Sequence, residues 1–597
     1  MKKILFILFI PLATLAQKAD EELAAQFMAD REFAKAADQY EKLLARNPKS
    51  MYFYDNLFKC YIQLLQFDDA NKLAKRQQKK FESNYYYQVD AIYALQLKSF
   101  DDKVKQQYKN IISGVMPLEP KVHELANAFN KRGLKDYAIE TYIFARKQLK
   151  RDLAFSLELA GLYADLNQKA LAVDEFLNAL ILDENQQENI QGYLQNMLES
   201  AADYELLKQA LLKKNKTYSG SDVFTEMLLW YYVQQNDYNN ALIYSRALDR
   251  RYKEQGRKML ELGLLATSNE AYDAAVNIFS QVIALGKDAP YYNYAKNSLT
   301  EARAKKILAG NYTQNDLIEL KNQYNALLTE FGFAPFMINT IKELAKLQAY
   351  YLYNYDSAIY LFEGIINMPR IDEKARAEAK LELGDLYVFK NEVWEAMLLY
   401  GQVDNDFKEE PIGREAKFRN ARLSYFIGEF DWARSQLDVL KTATTQLISN
   451  NAIELSLLIQ DNTIDSNEEP LKIYAKADLY YYQNNLNRAM QTLDSLLQLY
   501  PNHDLLDDIY YKKAQIFLKQ KNYTKATEYF KIVYSEHGTG IFGDNALYEL
   551  ARLNQNILNN KDEALKLYEK FIDTYNGSFF LTEVRKQYRL LRGDTIN

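Results

Sequence analysis

QKNYTKATEYFKIVY, residues 520–534, decides the fold of this chain because it does not stand alone. Its polar turn (Lys521-Asn522), alanine (Ala526) and large residue four positions on (Phe530) return in DREFAKAADQYEKLLARNP (30–48), RGLKDYAIETYIFA (132–145) and KNEVWEAMLLYGQV (390–403). They return again in QNNLNRAMQTLDSLLQLYP (483–501) and NNKDEALKLYEKFI (559–572). Twelve alanines mark the register: Ala36, Ala70, Ala138, Ala172, Ala241, Ala275, Ala358, Ala396, Ala433, Ala489, Ala526 and Ala564. Early steps such as Ala36 to Ala70 or Ala241 to Ala275 are 34 residues, and adjacent later ones are 37 or 38. A fixed period of this length is the mark of a repeat array in which each unit is one supersecondary motif.

A second mark lies about a dozen residues before several of these alanines: Leu23-Ala24, Leu125-Ala126, Leu159-Ala160, Leu262-Gly263 and Leu383-Gly384. An aromatic often follows three residues later, as in Phe27, Phe129, Tyr163 and Tyr387. Two helices joined by a short polar turn, with small residues where they touch, cannot bury their apolar stripes alone and must stack on neighbours. These marks resemble the tetratricopeptide repeat over nearly the whole chain after residue 17. The resemblance implies an all-α, right-handed superhelix of antiparallel helix pairs, an α-solenoid. Units 470–597, ending GSFFLTEVRKQYRLLRGD, resemble the repeat modules of bacterial outer-membrane assembly lipoproteins and of the Tol–Pal coordinator. The lipid-anchoring cysteine of the former and the coiled-coil domain of the latter are absent.

Composition agrees. Glycine and proline are 30 of 597 residues, about 5% where average usage is roughly 12%, too few for the tight turns of a large β fold. Formal charge is −6 without a long basic run, so electrostatic capture of nucleic acid is not expected. MKKILFILFIPLATLAQ (1–17) has the charged start, short apolar core and small-residue end of a secretory leader, cleaved near Ala16. Without Lys2 and Lys3 the mature chain is near −8. Cys60 is the single cysteine, and export without an internal disulfide fits a bacterial periplasm. No later stretch is long and apolar enough for a transmembrane helix, leaving at most peripheral association with the outer membrane.

Chemistry is sparse. His123, His503 and His537 are far apart and none has metal-ligand spacing. No nucleophile-elbow, phosphate-loop or dinucleotide motif occurs, and HGTGIFG (537–543) reads as a turn between repeats. Asp507-Asp508 reads as a helix start that complements the dipole. Lys75-Arg76…Lys79-Lys80 reads as a solvated outer face. No catalytic, cofactor or metal site is expected.

The rhythm breaks twice, so the expected organisation is a leader (1–16), an N-terminal array (17–288), an irregular joint (289–340) and central repeats (341–440). A second joint (441–469), with one helix at about 448–460, precedes a C-terminal array (470–592) and tail (593–597). The repeat resemblance puts the first helix of each pair on a concave partner groove, which nominates Trp230, Tyr350, Tyr351, Tyr474, Asp478, Tyr481, Tyr482 and Tyr511. Aromatics there offer rigid contact area and a hydroxyl for hydrogen bonding. The expectation is a non-catalytic periplasmic scaffold or adaptor that binds other proteins, chiefly envelope proteins, in assembly or secretion. The alternative is a glycan- or nutrient-uptake-associated outer-membrane protein.

Overall fold

The structure, a computed structural model, describes residues 9–408, 410–441, 446–463 and 467–594. Every regular element among them is helical. The chain divides into two compact units, Met1–Tyr292 and Asn293–Asn597.

In the first unit the helices are α1 (Phe9–Ala29), α2 (Phe33–Arg46), α3 (Met51–Gln63), α4 (Phe67–Lys80), α5 (Tyr85–Lys98), α6 (Asp102–Ser113), α7 (Glu119–Lys131) and α8 (Lys135–Leu149). They continue as α9 (Ser156–Asp165), α10 (Lys169–Leu182), α11 (Gln187–Met197), α12 (Ala201–Thr217), α13 (Val223–Gln234), α14 (Tyr238–Tyr252), α15 (Arg257–Ser268) and α16 (Tyr272–Ile283). α17 (Tyr292–Ala309) begins at the division between units and is followed by α18 (Gln314–Phe331), α19 (Ile338–Lys346), α20 (Tyr355–Ile366), α21 (Glu373–Phe389), α22 (Val393–Asp406), α23 (Pro411–Phe426) and α24 (Phe430–Leu440). The rest are α25 (Gln446–Asp461), α26 (Glu469–Tyr482), α27 (Leu486–Leu499), α28 (Leu506–Lys519), α29 (Tyr523–Glu536), α30 (Gly543–Asn556), α31 (Lys561–Thr574) and α32 (Leu581–Arg592).

Local chemistry sets the hairpins. Between α28 and α29, Lys521 takes a positive φ of 60° and the Asn522 side chain accepts a hydrogen bond from the Lys525 N–H. The same device recurs at Asn236-Asp237, Asn484-Asn485 and Asn559-Asn560, a left-handed residue followed by a side-chain cap. Asn167-Gln168 keeps the left-handed residue, but Gln168 makes no capping bond.

All twelve register alanines have no exposed surface. The residue four positions on, aromatic in eight of the twelve, is buried beside each of them. The earlier small residue faces it: a Cβ on Gly263 would come within 2.5 Å of the Phe279 ring, and one on Gly384 would enter the Tyr400 ring. At these two repeats the hairpin closes by fitting a large ring over a missing side chain. Burying such a ring contributes roughly 1.5–3 kcal/mol.

Residues 1–8 of the expected leader lie outside the described residues, and α1 runs through the expected cleavage position to Ala29. Residues 289–340 carry α17, α18, a short 3₁₀ turn and the start of α19. The helix expected near 448–460 is α25; residues 442–445 and 464–466 lie outside the described residues. Beyond this break comes α26. At its start the Lys472 stem packs at the α23–α24 turn beside Gly428, and at its end the Gln483 amide donates to the Val388 carbonyl at 2.8 Å. α26 thus spans from the end of α23 to the end of α21.

Candidate functional site

Because α26 crosses in this way, its face, the last turns of α23, one side of α25 and the inner face of α28 enclose a pocket of about 380 Å³. Four of the eight nominated residues, Tyr474, Asp478, Tyr481 and Tyr482, line it. Spaced 4, 3 and 1 residues apart, they share one helical face. Tyr474 and Tyr425 of α23 are buried and form its inner wall with Phe418 and Phe426. Phe542 closes the far side, stacked on Tyr511 with centroids 4.3 Å apart. Tyr511 therefore stands behind the pocket wall. The HGTGIFG turn between α29 and α30 supplies Ile541 and Phe542.

Polar groups converge among these rings. Lys512 Nζ lies 2.5 Å from Asp478 Oδ1, and the Tyr425 hydroxyl donates to Asp478 Oδ2 at 3.4 Å. The Tyr474 hydroxyl donates to the Asp508 carbonyl oxygen at 3.3 Å. Burial opposes the Lys512 charge, but Asp478 holds its pKa above the ordinary value. Asp508 is 5% exposed and its Oδ1 has no hydrogen-bond partner. Burial first and the Asp507 charge second raise its pKa well above the ordinary carboxyl range. Glu454 of α25 is raised too, by enclosure and by Asp478 against the pull of Lys512. Its side chain still reaches solvent, as a group on the wall of an open pocket does.

At the other end Arg422 stacks over the Tyr482 ring at 4.5 Å and Lys519 over the Tyr481 ring at 4.7 Å. Burial lowers the Lys519 pKa. Among the described residues no carboxylate stands within ion-pair distance of either cation. The pocket thus holds an internal ion pair in the middle, undercompensated carboxyls at one end and two uncompensated cations at the other.

Tyr482 has a second role. Its hydroxyl donates to Asp385 Oδ1 at 2.9 Å, joining Tyr400 (2.7 Å) and Arg419 (2.7 Å to Oδ2) on that carboxylate. Its ring meets Phe389 at 5.6 Å, and Phe389 meets Tyr350 at 5.9 Å. Tyr350 therefore joins this cluster outside the pocket. Tyr351 packs on the core beside it, with its ring 5.9 Å from Tyr312. Trp230 is half-buried on α13 in the first unit and shares no site with the others.

Arg422, Glu454, Asp508, Lys512, Lys519 and Phe542 were not nominated from sequence. Lys512 and Lys519 had a signal, since with Asp508 they recur at helical spacing along α28. Among the described residues no group of three or more His, Cys, Asp or Glu could hold a metal ion, and no helix is long and apolar enough to cross a membrane.

Comparison with known proteins agrees with the repeat reading. Tetratricopeptide repeat family models match residues 474–540 and 545–578, which cover α27–α29, α31 and most of α26 and α30. Comparison with curated proteins finds no match. Similar solved structures include a tetratricopeptide repeat protein from Parabacteroides merdae, with 12% identity over 57% of this chain and 99% of that one, TM-score 0.27. They also include Naa15/Naa10 bound to HypK-THB (13%, 95% and 88%, TM-score 0.30) and yeast Tom70 (13%, 97% and 96%, TM-score 0.24). All regular elements among the described residues are helical, and residues 474–578 carry tetratricopeptide repeats, a repeat that serves in protein-interaction scaffolds.

Proposed function

We propose that this chain is an exported, non-catalytic scaffold of the bacterial envelope that holds segments of partner proteins during assembly or secretion. One observation carries the binding reading: a pocket walled by tyrosine and phenylalanine, open to solvent, with two cations, Arg422 and Lys519, that no carboxylate among the described residues pairs. Aromatic walls supply rigid anchoring area, and unmatched charges at an opening supply selectivity. The leader-like MKKILFILFIPLATLAQ supports export. Along a long array several such contacts act together, so each can be weak while the assembly is stable.

The test is crosslinking and affinity purification of the protein from its native envelope fraction, wild type against Tyr481→Ala. Tyr481 is the right residue because Tyr482 also ties α26 to Asp385. Stoichiometric envelope proteins that are lost in the variant support the proposal. Recovery of the protein alone, or with cell-wall glycan in place of protein, sinks it. N-terminal sequencing of the periplasmic form should begin at Gln17.

A further inference from the structure

The pocket has a charge axis that comes from α28 itself. Asp508 lies in its first turn, Lys512 one turn on and Lys519 at its last residue, all lining the same pocket. Eleven residues of helix put the two ends about 16 Å apart. The acid end is reinforced from α25 by Glu454 and from the start of α30 by Asp544, whose charge acts on Glu454. The cationic end is reinforced from α23 by Arg422, stacked on Tyr482. Lys512 already serves Asp478, so it leaves Glu454 and the partnerless Asp508 Oδ1 without a cation of their own.

We propose that this pocket selects an extended segment of a partner protein that carries a lysine or arginine at one point and an aspartate or glutamate about five residues away, with apolar residues between them. The spacing follows from a rise of about 3.3 Å per extended residue over the length of the pocket. The basic side chain meets Glu454 and Asp508, the acidic one meets Lys519 and Arg422, and the intervening residues lie on Tyr481, Tyr474 and Phe542. A segment of one charge sign leaves like charges facing each other at one end, which is how such a site rejects it. This rests on the reading of the pocket as a partner site and adds the chemistry of what it takes.

The experiment is selection of a displayed random 12-residue peptide library on the full chain, in parallel on wild type, Lys519→Glu, Glu454→Lys and Tyr481→Ala. Lys519 and Glu454 are exposed, so these changes leave the fold in place. Wild type should enrich peptides with opposite charges four to six residues apart. Lys519→Glu should replace the acidic position with a second basic one, and Glu454→Lys the basic position with a second acidic one. The best wild-type peptide should bind each charge variant about fivefold more weakly. Enriched peptides without that charge pattern, or with the same pattern on all charge variants, overturn the inference. If those peptides still depend on Tyr481, the pocket remains a partner site; if no peptide is enriched, both readings fall.

Discussion

Two largely enclosed cations, one in each unit, show what the repeats do with charge. In the first unit Arg132, just after α7, binds Asp90 through two nitrogens at 2.6 and 2.8 Å and reaches Asp55 at 3.1 Å. Lys131 pairs with Asp55, and the Tyr54 hydroxyl donates to Asp90 at 2.9 Å. Two cations meet two carboxylates, and the Phe58 ring backs the guanidinium at 4.5 Å. In the second unit Lys512 meets one carboxylate while Asp508 and Glu454 share its field, and Arg422 and Lys519 have no ion-pair partner among the described residues. A closed charge cluster pins α3, α5 and α7 together. An open one beside aromatic walls leaves free energy available to a guest.

The contrast can be broken at its closed end first. Arg132→Met leaves Asp90 buried without its guanidinium and should cost about 3–5 kcal/mol in the first unit, read as urea unfolding followed by hydrogen exchange in α3, α5 and α7. A loss below about 1 kcal/mol would mean the cluster does not pin those helices. Next come the packing marks. Gly384→Ala and Ala526→Phe overfill a helix contact and should each cost about 1–3 kcal/mol in the second unit; thermal unfolding that matches wild type would show that the small residues are incidental. Lys519→Glu should change stability by less than about 0.5 kcal/mol while weakening capture of the partner segment.

The smallest effect is the pH response, and its sign differs between units. Glu382, Glu454, Asp508 and Glu549 have raised pKa values, chiefly from burial. Their contribution to stability is present at low pH and lost as pH rises through the folded values, so acidifying from pH 7 toward 5 should firm the second unit. In the first unit Asp68, Asp203, Glu205 and Glu254 are lowered by hydrogen bonds from Lys98, Lys169, Gln209 and Arg257. Their contribution is lost only as pH falls below the ordinary carboxylate range, about 4. Hydrogen exchange at pH 7 and 5 that shows the second unit loosening would contradict this.

The repeat architecture was legible because its marks are local. An alanine, a ring four positions on and a small residue a dozen before it specify one helix hairpin, and all twelve alanines are buried as that reading requires. The pocket was half legible. Tyr474, Asp478, Tyr481 and Tyr482 share a helix face that sequence can see. What that face meets depends on where α26 lies after the break at 441–469, where the repeat pattern lapses and no local signal encodes its placement. Hence Arg422, Glu454 and Phe542, on three other elements, went unnominated, and Tyr482 proved to be bonded to Asp385, 97 residues away.

The central claim is that partners dock in the α23–α25–α26–α28 pocket. It is tested most directly by replacing Tyr481 with benzoylphenylalanine and irradiating native envelopes, with the same replacement at exposed Tyr360 on α20, outside the pocket, as control. The account predicts a discrete protein adduct from position 481, lowered in yield by Lys519→Glu, and none from position 360. Adducts of equal yield from both positions, or from 360 alone, would contradict it.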